Sequence, residues 1–196
     1  MNRYLGDQKI IRYLSISLFG FSTLCLIVWF VLRIDITRFD EDVVTMKWPT
    51  AGLFVVYFAA NLVGRRWLRN GLSYIVLISA ISLMLFQNDV ILNHGIEGVA
   101  SELPVYSVAP DMPSNSTLLL FIIFSAAQIV DHPQLWRITR VVSLLVCLCV
   151  WIGYAFGVPD LYFYREGSSS AMAISTSILF AGAIATSMAS EHRPFA

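Results

Sequence analysis

The sequence predicts an all-α integral membrane protein, with six transmembrane helices arranged as three tandem helix hairpins. Three observations carry this reading. Of the 196 residues, 57% are hydrophobic and 13% are charged, where a soluble domain has roughly 25% charged. Six apolar runs without any charge stand at 14–32, 49–64, 72–86, 114–130, 141–158 and 171–189. Basic residues favour alternate connections between these runs.

The first run, 19 residues long, approaches the roughly 20 helical residues that a bilayer core requires. It exceeds the roughly 7–15 apolar residues of a signal peptide, and no small-x-small cleavage site follows it. The N-terminus is therefore expected to remain in the mature chain. The second run opens with Pro49, and the third is 15 residues long. Both are short, but Arg65 and Gln87 can reach the interface and extend them. The fourth, fifth and sixth runs have 17, 18 and 19 residues. No period-two alternation suggests a barrel. The hairpins are expected at about 10–69, 70–136 and 137–192, within one membrane domain spanning 1–196.

Flanking charge sets the expected orientation. With the N-terminus inside, nine basic residues lie on the cytoplasmic side: Arg3, Lys9, Arg12, Arg65, Arg66, Arg69, Arg137, Arg140 and Arg193. Four lie outside: Arg33, Arg38, Lys47 and Arg165. The excess places both termini in the cytoplasm. Trp29 and Trp48 then belong to an outer aromatic belt, and Trp67 and Trp136 to an inner one. Trp151, deeper in the fifth run, is expected to pack in the core.

An internal repeat marks the returning helix of each hairpin. Met46, Met112 and Met172 are each followed four residues later by a hydroxyl: Thr50, Ser116 and Thr176. Pro49, Asn115 and Ser175 precede these. Short polar side chains accept from the unsatisfied N–H groups of a first helical turn, and proline there has no N–H to satisfy. Three such starts on the outer side would make a polar, slightly positive cup suited to an anion or polar head group. Trp48, Tyr106, Tyr154 and Tyr162 are its expected aromatic walls, and the long loop 87–113 its expected cover. A short interfacial helix near 90–99 would fit within that loop.

The pattern of Met46, Pro49 and Thr50 resembles the membrane input modules of bacterial sensor histidine kinases and diguanylate cyclases. So does the run Gly153, Tyr154, Phe156, Gly157, Val158, Pro159, Leu161 and Tyr162, followed by Met172, Ala173 and Thr176. Ser175 departs from the His or Asn common there, and Thr50 follows Pro49 without an Asn. The resemblance implies a bacterial inner-membrane sensory module. Such modules usually precede a cytoplasmic output domain, which these 196 residues do not contain. The expectation is thus an isolated input module or a stand-alone relative.

Signs of catalysis are few. His94, His132 and His192 lie outside the spans, so no pair can hold a buried haem. No charged residue lies deep in a span, which disfavours an ion-coupled transporter. Cys25, Cys147 and Cys149 form no CxxC pair. GxSxG and HExxH motifs are missing. A non-catalytic protein without metal or cofactor is expected. Zero net charge gives no footprint for nucleic acid. Expected partners are membrane lipids, with a larger membrane complex or a homodimer as further candidates. Asn61, Ser79, Ser125 and Gln128 suit interhelical hydrogen bonding. In the last helix Ala173, Ser177, Ala181, Ala185 and Ala189 recur every fourth residue beside Gly182. This stripe is expected to form a close helix contact, with Leu179 outside it. Two functions follow: a ligand-binding sensor that relays through helix packing, or a structural accessory subunit.

Overall fold

The computed structural model describes residues 2–32, 46–100, 112–158, 161–162 and 172–190. These form six α-helices, and no strand occurs among the described residues: α1 (Asn2–Leu32), α2 (Trp48–Leu62), α3 (Arg66–Ala100), α4 (Asn115–Val130), α5 (Pro133–Phe156) and α6 (Ile174–Ser190).

Helix boundaries follow local chemistry. Pro133 occupies the first turn of α5, so α5 starts eight residues before the charge-free run at Val141 and takes in Arg137 and Arg140. Pro49 likewise lies in the first turn of α2. Ser114 caps α4, its Oγ accepting from the Thr117 N–H at 3.2 Å. At the far end of α4, Asp131 adopts φ 53° and ψ 41°, a left-handed stop that short polar side chains tolerate. Gly157 ends α5 at φ 63°, and Val158 N–H then returns to the Gly153 carbonyl at 2.8 Å. This is the αL termination that glycine permits.

The expected loop at 87–113 is corrected over its first half. The backbone of α3 continues through 87–100, so the expected interfacial helix near 90–99 is part of α3. Residues such as Asn93 and Gly95 are weak helix formers but no proline intervenes until Pro104.

The six helices close into a ring. Each packs on its sequence neighbours, and α1 meets α6. Inside the ring, α2, α4 and α6 form a parallel triangle. The rings of Phe54, Phe121 and Phe180 meet at its centre, with centroids 4.6 Å (54–121), 4.8 Å (54–180) and 4.9 Å (121–180) apart. Outside it, α1 lies against α2 and α6, α3 against α2 and α4, and α5 against α4 and α6. The outer helices run antiparallel to the inner ones. Trp29 of α1 meets Trp48 of α2, Ser73 of α3 meets Gln128 of α4, and Arg140 of α5 meets Ser187 of α6.

Length separates the two layers. Segments of the outer helices, Arg12–Val31, Arg66–Gln87 and Pro133–Phe156, are long and apolar enough to cross a membrane. The inner helices have 15, 16 and 17 residues, or about 22–26 Å at 1.5 Å per residue, against a hydrocarbon core of about 30 Å. Six full-length spans were expected; three helices reach that length. Burial separates the layers too. Outer helices turn Ile16, Leu24, Ile78, Leu85, Leu145 and Ile152 outward, all exposed. Inner helices bury Phe54, Leu118, Phe124 and Phe180. This apolar exterior is compatible with a membrane protein.

Candidate functional site

The inner helices share a register that the methionine alignment misses by one residue. Counted from their first residues, the third position is Thr50, Thr117 and Thr176, the sixth is Leu53, Leu120 and Leu179, and the seventh is Phe54, Phe121 and Phe180. The repeat is therefore Thr-x-x-Leu-Phe: "TAGLF", "TLLLF" and "TSILF". Helix α4 starts three residues after its methionine, whereas α2 and α6 start two residues after theirs. The added residue puts Thr117, not Ser116, level with Thr50 and Thr176.

Residues four apart share a helix face, so each threonine stands one turn above its phenylalanine. Because those rings touch, the three helix starts converge on one axis. Thr50, Thr117 and Thr176 are each 2% exposed. Around them, Ser114 Oγ lies 2.7 Å from Thr117 Oγ1 and 3.1 Å from Ser116 Oγ. Asn115 Oδ1 and Ser175 Oγ are buried without a hydrogen-bond partner. Helix α2 has no side-chain cap. The tier thus presents hydroxyls and first-turn N–H groups, which donate to a carbonyl, carboxylate or phosphate oxygen.

Two expected walls close over the start of α6. Tyr154 and Tyr162 stack at 4.3 Å. Tyr154 O–H donates to the Met172 carbonyl at 3.3 Å, and Met172 N–H donates to the Tyr162 carbonyl at 3.1 Å. Gly153 makes room for them: a Cβ there would lie 2.8 Å from Tyr162 Cδ1 and 2.9 Å from Leu161 Cβ. Trp48 is placed elsewhere, at the α1–α2 seam against Trp29 and Phe30. Tyr106 lies outside the described residues.

The expected stripe on α6 winds across several surroundings. Ala173 and Ser177 are buried, Ala181 and Gly182 half-buried, and Ala185 exposed; the side chain of Ala189 lies outside the described set. Ser177 belongs to α5: Trp151 Nε1 donates to its Oγ at 2.7 Å, and Cys147 Sγ to its carbonyl at 3.4 Å. Gly182 belongs to α1, where a Cβ would lie 2.7 Å from Leu18 Cδ1. Leu179, expected outside the stripe, is 1% exposed, because it carries the repeat's leucine.

A second polar tier, unforeseen as a unit, lies eleven residues after each threonine: Asn61, Gln128 and Ser187. Gln128 Nε2 donates to Asn61 Oδ1 at 2.8 Å, and Ser73 Oγ donates to Gln128 Oε1 at 3.0 Å. One turn further along α3, Arg69 pairs with Asp131 at 3.3 Å. Arg140 donates to the Ser187 hydroxyl and carbonyl at 3.1 and 3.2 Å. These bonds tie outer helices to inner ones where apolar packing alone leaves rotation free. Among the described residues no cluster of histidine, cysteine or carboxylate side chains could hold a metal ion.

No family model, no curated protein and no solved structure matches this chain.

Proposed function

We propose that the chain is a bacterial inner-membrane sensory module. It binds a small ligand or lipid head group through the outer threonine tier and relays occupancy by helix packing, without catalysis. One observation carries this reading. Three helix starts, each with a buried threonine in the same register, converge above a shared aromatic plug. A structural bundle needs caps at helix starts, but it does not need three such starts to meet.

In this reading all six helices lie within the membrane. The short inner helices are enclosed by longer outer ones, and buried residues before their starts, such as Met46, Ser114 and Met172, carry the chain further toward the outer face. The excess of basic residues at the opposite end, which includes both termini, orients that end to the cytoplasm. In this reading α6 carries the response, since it touches α1, α5 and the plug together.

The test is native mass spectrometry of the full chain purified in mild detergent. The unaltered protein should retain a bound small molecule. A Thr50→Val, Thr176→Val double variant, close to isosteric, should lose it. Equal retention by both would move the site elsewhere. Recovery of a stoichiometric membrane protein partner and no small molecule would instead favour an accessory subunit. The exposed apolar faces of α1, α3 and α5 give that reading its support.

A further inference from the structure

The outer helices carry a second threefold feature, at the end opposite the threonine tier. At this end the apolar segment of each carries an exposed cation followed at once by an exposed apolar side chain: Arg12 and Tyr13 on α1, Arg66 and Trp67 on α3, Arg137 and Ile138 on α5. Lys9 and Arg65 are exposed beside them. The three pairs stand on the same side of the second polar tier. Ser73 and Arg140 are level with the Asn61–Gln128–Ser187 tier through their hydrogen bonds. Leu18 opposite Gly182 sets the antiparallel register of α1 and α6, which brings Tyr13 to Ser187. The three arginines then lie within about 10 Å below that tier, at 1.5 Å per residue.

Charge at this end is one-sided. Asp131 is the one acid there whose side-chain surroundings are described, and Arg69 engages it. Arg140 is occupied by Ser187. The exposed cations have no acidic partner among the described residues. Above them the surface turns apolar: Ile16 on α1, Tyr74 and Ile75 on α3, Val141 and Leu145 on α5, all exposed. Cation and acyl-facing surface on one helix match the two parts of a phospholipid.

We propose that this collar binds anionic phospholipid head groups of the adjoining leaflet. Each arginine takes a phosphate in charge-assisted, forked hydrogen bonds, while Tyr13, Trp67 and Ile138 pack along the glycerol and upper acyl chain. The inference rests on the membrane reading above. A free phosphate would use the cations alone; the apolar side chain beside each one commits the site to lipid.

The experiment reconstitutes the full chain into phosphatidylcholine vesicles with or without phosphatidylglycerol. It measures flotation, the lipids retained after detergent extraction, and thermal stability. The unaltered protein should enrich phosphatidylglycerol above its share of the bilayer, less so at high salt. An Arg12→Gln, Arg66→Gln, Arg137→Gln variant alters exposed residues only and should fold. It should lose enrichment by roughly fivefold per cation removed. A Lys47→Gln variant, at the other end, should keep it. Unchanged enrichment in the triple variant, or equal loss in the Lys47 variant, overturns the collar. So does inorganic phosphate in neutral vesicles if it stabilises the protein as well as phosphatidylglycerol does. Failure to float in any vesicle defeats the membrane reading itself; flotation without enrichment defeats only the lipid site.

Discussion

At the scale of single residues, the loop after α5 shows how sequence detail becomes shape. Gly157 supplies the left-handed stop, and Gly153 supplies the gap into which Leu161 and Tyr162 fold. Replacing Gly153 by Val would bring new atoms against Tyr162 Cδ1 at 2.8 Å, Leu161 Cβ at 2.9 Å and the Val158 carbonyl at 3.1 Å, counting the Cβ alone. Two of these are fixed or nearly fixed to the backbone, so they cannot swing away. The variant should lose about 1–3 kcal/mol, read as a lowered thermal midpoint in detergent. It should also release the Tyr154–Tyr162 stack from the start of α6. The glycines and tyrosines were visible in the sequence, but their pairing was not. Nothing in a linear pattern tells that Gly153 is empty because Tyr162 fills it.

At the scale of helices, van der Waals fit and side-chain hydrogen bonds share the work of association. Within lipid, apolar faces have no hydrophobic reason to pair, and small residues help by letting helices approach closely. Gly182 against Leu18 is such a point on the α1–α6 seam, whereas Ala185 faces outward. Gly182→Leu should therefore part α1 from α6 and cost about 1–3 kcal/mol, while Ala185→Leu should change little. Thermal unfolding of the two variants in matched detergent checks this, and equal small effects would show that the seam tolerates added volume. Leu179 is a poor control, since it lies in the core. The helix starts were legible because caps follow simple chemistry: Pro49, Ser114 and Pro133 mark them directly. The continuation of α3 through 87–100 was not, since its acids and polar residues read as loop. The threonine register was hidden by one inserted residue at Ser114. A search for the recurring five-residue pattern, rather than for the methionine before it, would have found it.

At the scale of the whole molecule, three hairpins place three short helices inside and three longer ones outside. The composition and the apolar runs foretold a helical bundle with an apolar exterior. They could not assign inner and outer roles, because both kinds of helix are apolar. The difference lies in length and in which residues face an axis the chain forms only when all three hairpins meet. The account depends most on that axis. Its direct test is pairwise cross-linking of Thr50→Cys, Thr117→Cys and Thr176→Cys in a chain whose Cys25, Cys147 and Cys149 are replaced by Ala. With a short bifunctional thiol reagent, all three pairs should cross-link within one molecule, whereas Thr50→Cys paired with Ile78→Cys, on the exposed face of α3, should not. Single variants that each react with the reagent's monofunctional form, yet give no cross-link in any threonine pair, would contradict the convergence.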